Sequence, residues 1–394
     1  MRSLWLLLLG LVLVGCAQPD PKNRPLRVWT AFEGDELKAF KQLCQQYPQH
    51  PVEVLAVPFD QLKNKVLVAT PAGQGPELVV GPQDWLGVFS VAQLLEPLPE
   101  SWLGPLRQEV SPVALDGVTY EGKAYAYPLL LEGLALLRNP KLAPRSPKNL
   151  DELRAYAIEL QKGDIKGLYF DLRELYFSWP FFSAYGATVF KDGGLEPGLT
   201  GPEGQQACEY LRSLRQADLV PLGAKNDFAK SFFLDQTLAM TLNGPWFLGD
   251  LRAKNVPYVI EPVPPGSHPA ASFIGVTGLM INRLSPRKED ALPLVQYLGS
   301  SSSQVTMALA SGRVPARREA QQIAGKDTLK GGDIQAFTRV VEQGVAMPNH
   351  PAANAVWDPM KQSLELISKG EADPAQELKN ADRQIREKIQ RMVE

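Results

Sequence analysis

The sequence predicts an α/β protein built as two lobes. Predicted strands and helices alternate along most of the chain, as in parallel sheets joined by helical crossovers. The chain has 394 residues, which is more than one hydrophobic core usually serves. A long apolar passage over 129–137 exceeds an ordinary strand. We expect it to carry the chain from one lobe to the other.

The first 25 residues predict export and anchoring. Arg2 precedes an apolar run over 4–14, which is far short of the roughly 20 residues that span a bilayer. The small residues before Cys16 resemble the lipobox of bacterial lipoproteins, in which the chain is cut before the cysteine and its thiol is acylated. A simple secretory signal with a chance cysteine is the alternative. We expect a signal peptide over 1–15 and a flexible lipidated tether over 16–25.

Composition argues against several classes of partner and site. The formal net charge of −2 gives no reason to expect nucleic acid or anionic lipid as a target. Cys44 and Cys208 fall in helical patterns, where a small buried apolar residue is a simpler interpretation than a disulfide. The histidines lack metal-ligand spacing, and no phosphate loop, nucleophile elbow or paired C-x-x-C occurs. We expect neither a metal nor a cofactor.

The first half of the chain predicts repeated strand–helix–strand units. Apolar runs predict strands over 26–32, 52–57 and 77–80, and apolar residues at helical spacing predict helices over 35–47, 59–69 and 84–95. Asp84 stands where an acidic N-cap would open the last of these helices. Parallel strands with right-handed crossovers are the expected result.

The second half repeats this alternation. Strands are predicted over 167–171, 237–242, 258–262 and 273–282. Helices are predicted over 149–162, 203–217, 227–234, 245–254, 287–298 and 303–310, and the remainder is expected to be helical.

Residues 170–182 are the most unusual stretch, because six of these thirteen residues are aromatic whereas aromatic residues make up 8% of the chain. A helix that enters a core can carry as many rings. Glu174, however, puts a hydrogen-bond acceptor beside the rings of Tyr176 and Phe177, and a buried carboxylate needs a partner. A carbohydrate meets both requirements, since its C–H faces cover rings while its hydroxyls donate to carboxylates. The stretch therefore predicts a sugar site.

Six short segments resemble, in the same order and with similar spacing, segments of the bacterial maltose-binding proteins, the solute-binding proteins that feed ABC importers. They are LRVW at 26–29, GPELVV at 75–80, AYP at 126–128, YFSWP at 176–180, AMTLNGPW at 239–246 and MPN at 347–349. The resemblance implies a periplasmic-binding-protein-like fold: two α/β lobes, a ligand cleft between them and three crossovers. It implies a first lobe of 26–130 and 276–332, and a second of 131–275 and 333–394.

The resemblance also implies sugar-contacting residues, the acids as hydroxyl acceptors and the rings as stacking platforms. They are Asp84, Glu132, Glu174, Tyr176, Phe177, Trp246 and Trp357. The residues themselves leave alternatives open: Asp84 as a plain N-cap, Glu132 as a partner of Arg138, and Trp246 as a core ring.

Departures from the family pattern concern specificity. Where the family has an Asp-Lys pair, this chain has a shorter loop with Glu33 and Gly34, so an acceptor is kept and an ammonium donor is lost. Trp85 indicates that one stacking ring has moved, and Asp358 replaces a family tyrosine. Glu33 and Trp85 are therefore included in the predicted site, and trehalose or other glucosides stay open as ligands beside maltodextrins.

The expected function is that of a monomeric substrate-binding lipoprotein of an ABC sugar importer. It would capture maltose or maltodextrin-type α-glucosides in the cleft and deliver them to the permease subunits from an extracytoplasmic, lipid-anchored position. Two other classes are weighed against it. Asp84, Glu132 and Glu174 could serve a glycoside hydrolase, whose two carboxyl groups lie about 5–10 Å apart, and a surface lipoprotein could have no transport function. We expect a binding protein and not an enzyme.

Overall fold

The computed structural model describes residues 24–191, 194–221 and 223–393. The predicted signal peptide and Cys16 lie outside these ranges, so both stay predictions. Within them, no helix has the length and apolar character needed to cross a bilayer, and no group of His, Cys, Asp and Glu could hold a metal ion.

Strands and helices alternate as predicted. The strands are β1 Leu26–Thr30, β2 Val52–Ala56, β3 Leu78–Pro82, β4 Leu95–Glu96, β5 Thr119–Tyr120, β6 Lys123–Ala124, β7 Tyr127–Glu132, β8 Ala135–Arg138, β9 Lys166–Tyr169, β10 Leu238–Asn243, β11 Val259–Glu261, β12 Phe273–Asn282, β13 Val314–Pro315 and β14 Val345–Ala346. The α-helices are α1 Gly34–Gln45, α2 Phe59–Ala69, α3 Leu86–Val91, α4 Glu100–Glu109, α5 Pro112–Gly117, α6 Leu150–Leu160, α7 Leu175–Ala184, α8 Pro202–Gln216, α9 Asn226–Leu234, α10 Leu248–Ala253, α11 Lys288–Leu298, α12 Ser301–Ser311, α13 Arg318–Ala324, α14 Gly331–Gln343, α15 Asn354–Lys369 and α16 Pro374–Val393.

Two sheets form the centres of two lobes. The larger has the order β13-β7-β12-β3-β1-β2, with β4 and β14 also paired to β12, and the smaller has the order β11-β8-β10-β9. β1 pairs in parallel with both β2 and β3, which confirms the predicted parallel units. Because β12 is antiparallel to both β3 and β7, β7 runs in the same direction as β3.

The apolar passage crosses between the sheets as predicted. β7 belongs to the larger sheet and β8 to the smaller, and only Gly133 and Leu134 separate them. The chain returns to the larger sheet between β11 and β12. Its last pairing there is that of β14 with the start of β12, whereas the predicted lobe boundary at 332 falls in the first turn of α14. The residue-level division of the lobes stays a proposal.

The helix predicted over 84–95 is present but shorter, and its predicted acidic N-cap is wrong. Asp84 lies inside a 3-10 turn, Gln83–Trp85, and the α-helix that follows ends at Val91. Gln83 is buried and accepts a hydrogen bond from the backbone N–H of Val276, 2.6 Å away. This bond ties the turn to β12, so long-range pairing rather than capping fixes Asp84. The helix predicted over 245–254 likewise begins as a 3-10 turn.

The cysteine prediction is confirmed for Cys44 and Cys208. Both thiols are free and buried among apolar residues. Burial raises the pKa of each to about 12, so neither is a reactive thiolate near neutral pH.

Candidate functional site

An arginine flanked by two carboxylates lies at the carboxyl end of the strands of the larger sheet. Arg313 Nη1 donates to Glu36 Oε1 at 2.8 Å, and Arg313 Nε lies 2.7 Å from Glu132 Oε2. All three side chains are 14–24% exposed. Pairing of Glu132 with Arg138 is wrong, because Arg138 pairs with Glu261 at 2.9 Å.

Strand register and one helix end position Arg313. α12 ends at Gly312, which has the left-handed φ of 80° that glycine adopts without strain. The next strand, β13, pairs Val314 with Leu131 in the antiparallel direction, which sets Arg313 opposite Glu132. Glu36 arrives from the first turn of α1, which packs against α12.

Burial and charge compete at this cluster. Burial raises the pKa of Glu36, and Glu132 raises it further, while Arg313 lowers it. Burial acts to lower the pKa of Arg313, but the two carboxylates outweigh it and the net shift is upward. The guanidinium therefore stays charged and holds two hydrogen-bond acceptors at fixed positions.

Aromatic side chains from the lobe that contains the smaller sheet face this cluster. Tyr176 lies within electrostatic range of Glu132 and Arg313, and burial, reinforced by Glu132, raises its pKa. Its ring centroid lies 6.5 Å from that of Trp246 and 5.8 Å from that of Phe177. All three rings are only partly buried, so they keep surface that a ligand can cover.

Trp246 lies directly after the Gly-Pro turn that ends β10. A Cβ added to Gly244 would lie 2.1 Å from the indole ring, so only glycine leaves room for the ring over the backbone. The turn is held by Asn243, whose Oδ1 accepts from the backbone N–H of Gly244 at 3.0 Å. The backbone of this turn therefore accommodates the ring, which favours Trp246 as a site residue over a core ring.

Asp84 and Trp85 follow the matching Gly-Pro turn of the first lobe. Burial raises the pKa of Asp84, the ammonium of Lys63 lowers it, and Glu132 raises it again, so Asp84 joins the same electrostatic cluster. Trp85 is 3% exposed, and its ring lies 2.7 Å from where a Cβ on Gly81 would be. It has no free face for stacking and instead supports its neighbours.

The remaining predicted residues lie around this centre. Glu174 forms an ion pair with Lys361 of α15, and the two side chains are 42% and 46% exposed. Trp357 packs edge-on against Phe273, with ring centroids 6.1 Å apart. Glu33 is exposed and caps α1 without a side-chain hydrogen bond. Among the contacts that the structure describes, none joins these three residues to Arg313.

Three charged residues of this site were not predicted from the sequence: Arg313, Glu36 and Lys63. Glu36 is three residues beyond Glu33, on the inward side of the first turn of α1. Two cations from other elements lie at this site, since Arg313 precedes β13 and Lys63 lies on α2. In the sequence, Arg313 is marked by the glycine before it, which ends a helix. This signal is weak unless the register of the next strand is known.

Comparison with known proteins gives one family and several sugar-binding relatives. A protein-family model described as bacterial extracellular solute-binding protein matches residues 37–336. The maltotriose-binding protein of Pyrococcus abyssi is 27% identical over 361 residues, which cover 87% of this chain and 77% of that protein.

Two solved structures have the same fold and were determined with sugars. A Thermus thermophilus maltotriose binding protein bound with maltotriose matches with a TM-score of 0.81 and 30% identity, covering 92% of this chain and 100% of that chain. A cyclo/maltodextrin-binding protein complexed with maltotetraose matches with a TM-score of 0.85 and 29% identity, covering 93% and 98%.

Proposed function

Because this chain belongs to the bacterial extracellular solute-binding proteins, we propose that it captures α-linked gluco-oligosaccharides in the cleft between its lobes. It acts outside the cytoplasm and hands the sugar to the permease of an ABC importer. It binds sugar as a monomer and does not turn the sugar over. Relatives named for maltotriose and maltodextrin support the ligand class.

The observation that carries the proposal is the pairing of an ionic cluster with aromatic rings. Glu36 and Glu132 offer acceptors held by Arg313, and Tyr176 and Trp246 offer ring surface on the other lobe. Sugar hydroxyls need fixed acceptors and donors, and sugar C–H faces need flat apolar surface. At this centre the two acceptors lie on elements of the larger sheet's lobe and the two rings lie on the other lobe, so binding favours the closed arrangement.

Sugar binding is expected to stabilise the protein against unfolding. At 100 times its Kd, a ligand that binds only the folded state adds about 2.7 kcal/mol. Thermal shift with maltose, maltotriose, maltotetraose and trehalose measures this effect. A shift with an amino acid or metal and none with any of these sugars would contradict the proposal.

The same samples test the hydrolase alternative. Burial gives Asp84 a raised pKa, as a general acid requires. Chromatography of maltotetraose after long incubation with the protein is expected to return the sugar intact. Release of shorter glucans that is lost in Asp84→Asn would establish a hydrolase.

The proposal includes a lipid anchor at Cys16, supported by the lipobox-like residues before it. Acylation is expected to hold the wild-type protein in the membrane fraction of its host, and Cys16→Ser is expected to release it into the soluble fraction. Immunoblots of fractionated cells measure the distribution. Wild-type protein found wholly in the soluble fraction would contradict the anchor and leave sugar binding untouched.

A further inference from the structure

We propose that Phe59 is an outer stacking platform that binds the far units of longer oligosaccharides, an inference that rests on the proposed sugar function. Phe59 is the first residue of α2 and is 60% exposed. Its ring therefore keeps a face that a ligand can cover.

The position of Phe59 in the sheet places it at the edge that carries the ionic cluster. β1, β2 and β3 are parallel, so their carboxyl ends share one edge. Phe59 follows β2, as Glu36 follows β1 and Asp84 follows β3. Ligands of open α/β sheets bind at the carboxyl ends of the strands.

Within that edge, Phe59 lies at the outer end. β2 is the last strand in the order of the larger sheet, and it lies four strands away from β7, which carries Glu132. The ends of β2 and β7 are therefore roughly 19 Å apart, because neighbouring strands lie about 4.8 Å apart. A disaccharide held at Glu132 and Tyr176 does not reach across this row, whereas a longer chain does.

The ring of Phe59 is supported from behind. Its centroid lies 5.5 Å from that of Trp85, with the planes tilted by 43°, and Trp85 packs in turn on Phe89 at 6.0 Å. Trp85 is buried, so it fixes the inner face of Phe59 and leaves the outer face open.

Polar groups of both signs flank the platform. Lys63 lies one helical turn after Phe59 on α2, and its ammonium acts on the carboxylate of Asp84. A ring beside one donor and one acceptor is the set of groups that a hexose unit needs. The three side chains thus form an outer subsite.

The experiment measures affinity against chain length. Isothermal titration of the full chain with maltose, maltotriose, maltotetraose and maltohexaose is expected to show about a fivefold weaker Kd for the two longest sugars in Phe59→Ala, because one stacked ring contributes about 1 kcal/mol. The Kd for maltose is expected to stay within about twofold. Phe59→Tyr keeps the ring and should restore wild-type affinity for every sugar.

Val68→Ala is the matched control, since Val68 lies on the same helix, is 75% exposed and stands at the far end from the strand edge. It should change neither affinity nor its dependence on chain length. Unchanged binding of long sugars by Phe59→Ala, or an equal loss for all sugars, would overturn the platform. Failure of the wild type to bind any glucan would instead overturn the proposed function.

Discussion

Replacing Arg313 with methionine is expected to weaken sugar binding by about a hundredfold, or roughly 3 kcal/mol. The guanidinium holds Glu36 and Glu132 from two different elements. Without it, the two carboxylates repel each other and lose the positions in which they accept sugar hydroxyls. Titration calorimetry with maltotriose measures the loss, and methionine keeps most of the aliphatic volume of the side chain.

Arg317→Met is the matched control for this prediction. Arg317 lies on the same segment, is 19% exposed and pairs with Glu109 at 3.0 Å, while its Nη1 donates to Tyr127 at 2.7 Å. Tyr127 begins β7 and Glu132 ends it, so this pair lies away from the cleft. Both variants should lose about 2 kcal/mol of folding stability, which is less than the 3–5 kcal/mol lost when one partner of a fully buried ion pair is removed. Only Arg313→Met should also lose affinity for the sugar.

The pH dependence of Arg313→Met separates a binding function from a purely structural one. Burial and Glu132 raise the pKa of Glu36 while Arg313 opposes them, so removing Arg313 raises that pKa further. A carboxyl group whose pKa is raised by folding stabilises the protein at low pH, and this stability is lost as the pH rises through the raised pKa. Affinity should follow the opposite course, because the ionised form is the acceptor.

The variant is therefore expected to melt at lower temperature, yet bind sugar more tightly, as the pH rises through the raised pKa of Glu36. Thermal melts and titrations at several pH values measure the two trends. If the melting temperature and the sugar affinity of the variant both fall as the pH rises, Arg313 would serve folding alone.

Local patterns predicted the elements well, and the reason is physical. α2 begins and ends where apolar spacing predicts, and β12 likewise spans its predicted residues, because each buries a continuous face. The crossing between lobes was visible because β7 and β8 are apolar and nearly contiguous. Such signals depend only on residues close in the chain.

The centre of the site could not be predicted in this way. Arg313 reaches Glu132 only because β13 pairs with β7 in one register, and sequence spacing does not contain that register. Trp85 looked like a free ring because its burial depends on the absence of a side chain at Gly81. Glu33 was favoured over Glu36 because the family resemblance pointed to the loop before α1, whereas the contact of Glu36 with Arg313 depends on how α1 packs against α12.

Trp246 is expected to make the largest single aromatic contact with the sugar. Its ring lies over the backbone of Gly244 on one side and remains partly exposed, and Tyr176 lies beside it at 6.5 Å. Covering one face of an indole removes roughly 80 Å² from water, which gives about 2 kcal/mol at about 25 cal/mol per Å². The ring is therefore expected to matter more than the more exposed Phe59.

Trp246→Ala is expected to weaken binding of every α-glucan about thirtyfold, whatever its length, because the stacked face contributes about 2 kcal/mol to each complex. This uniform loss distinguishes it from the length-dependent loss in Phe59→Ala. Trp102→Ala is the matched control: that ring is also partly buried but packs on Tyr127 of the first lobe at 6.3 Å. An unchanged Kd with a lowered melting temperature for Trp246→Ala would make Trp246 a core residue and leave Tyr176 as the ring that meets the sugar.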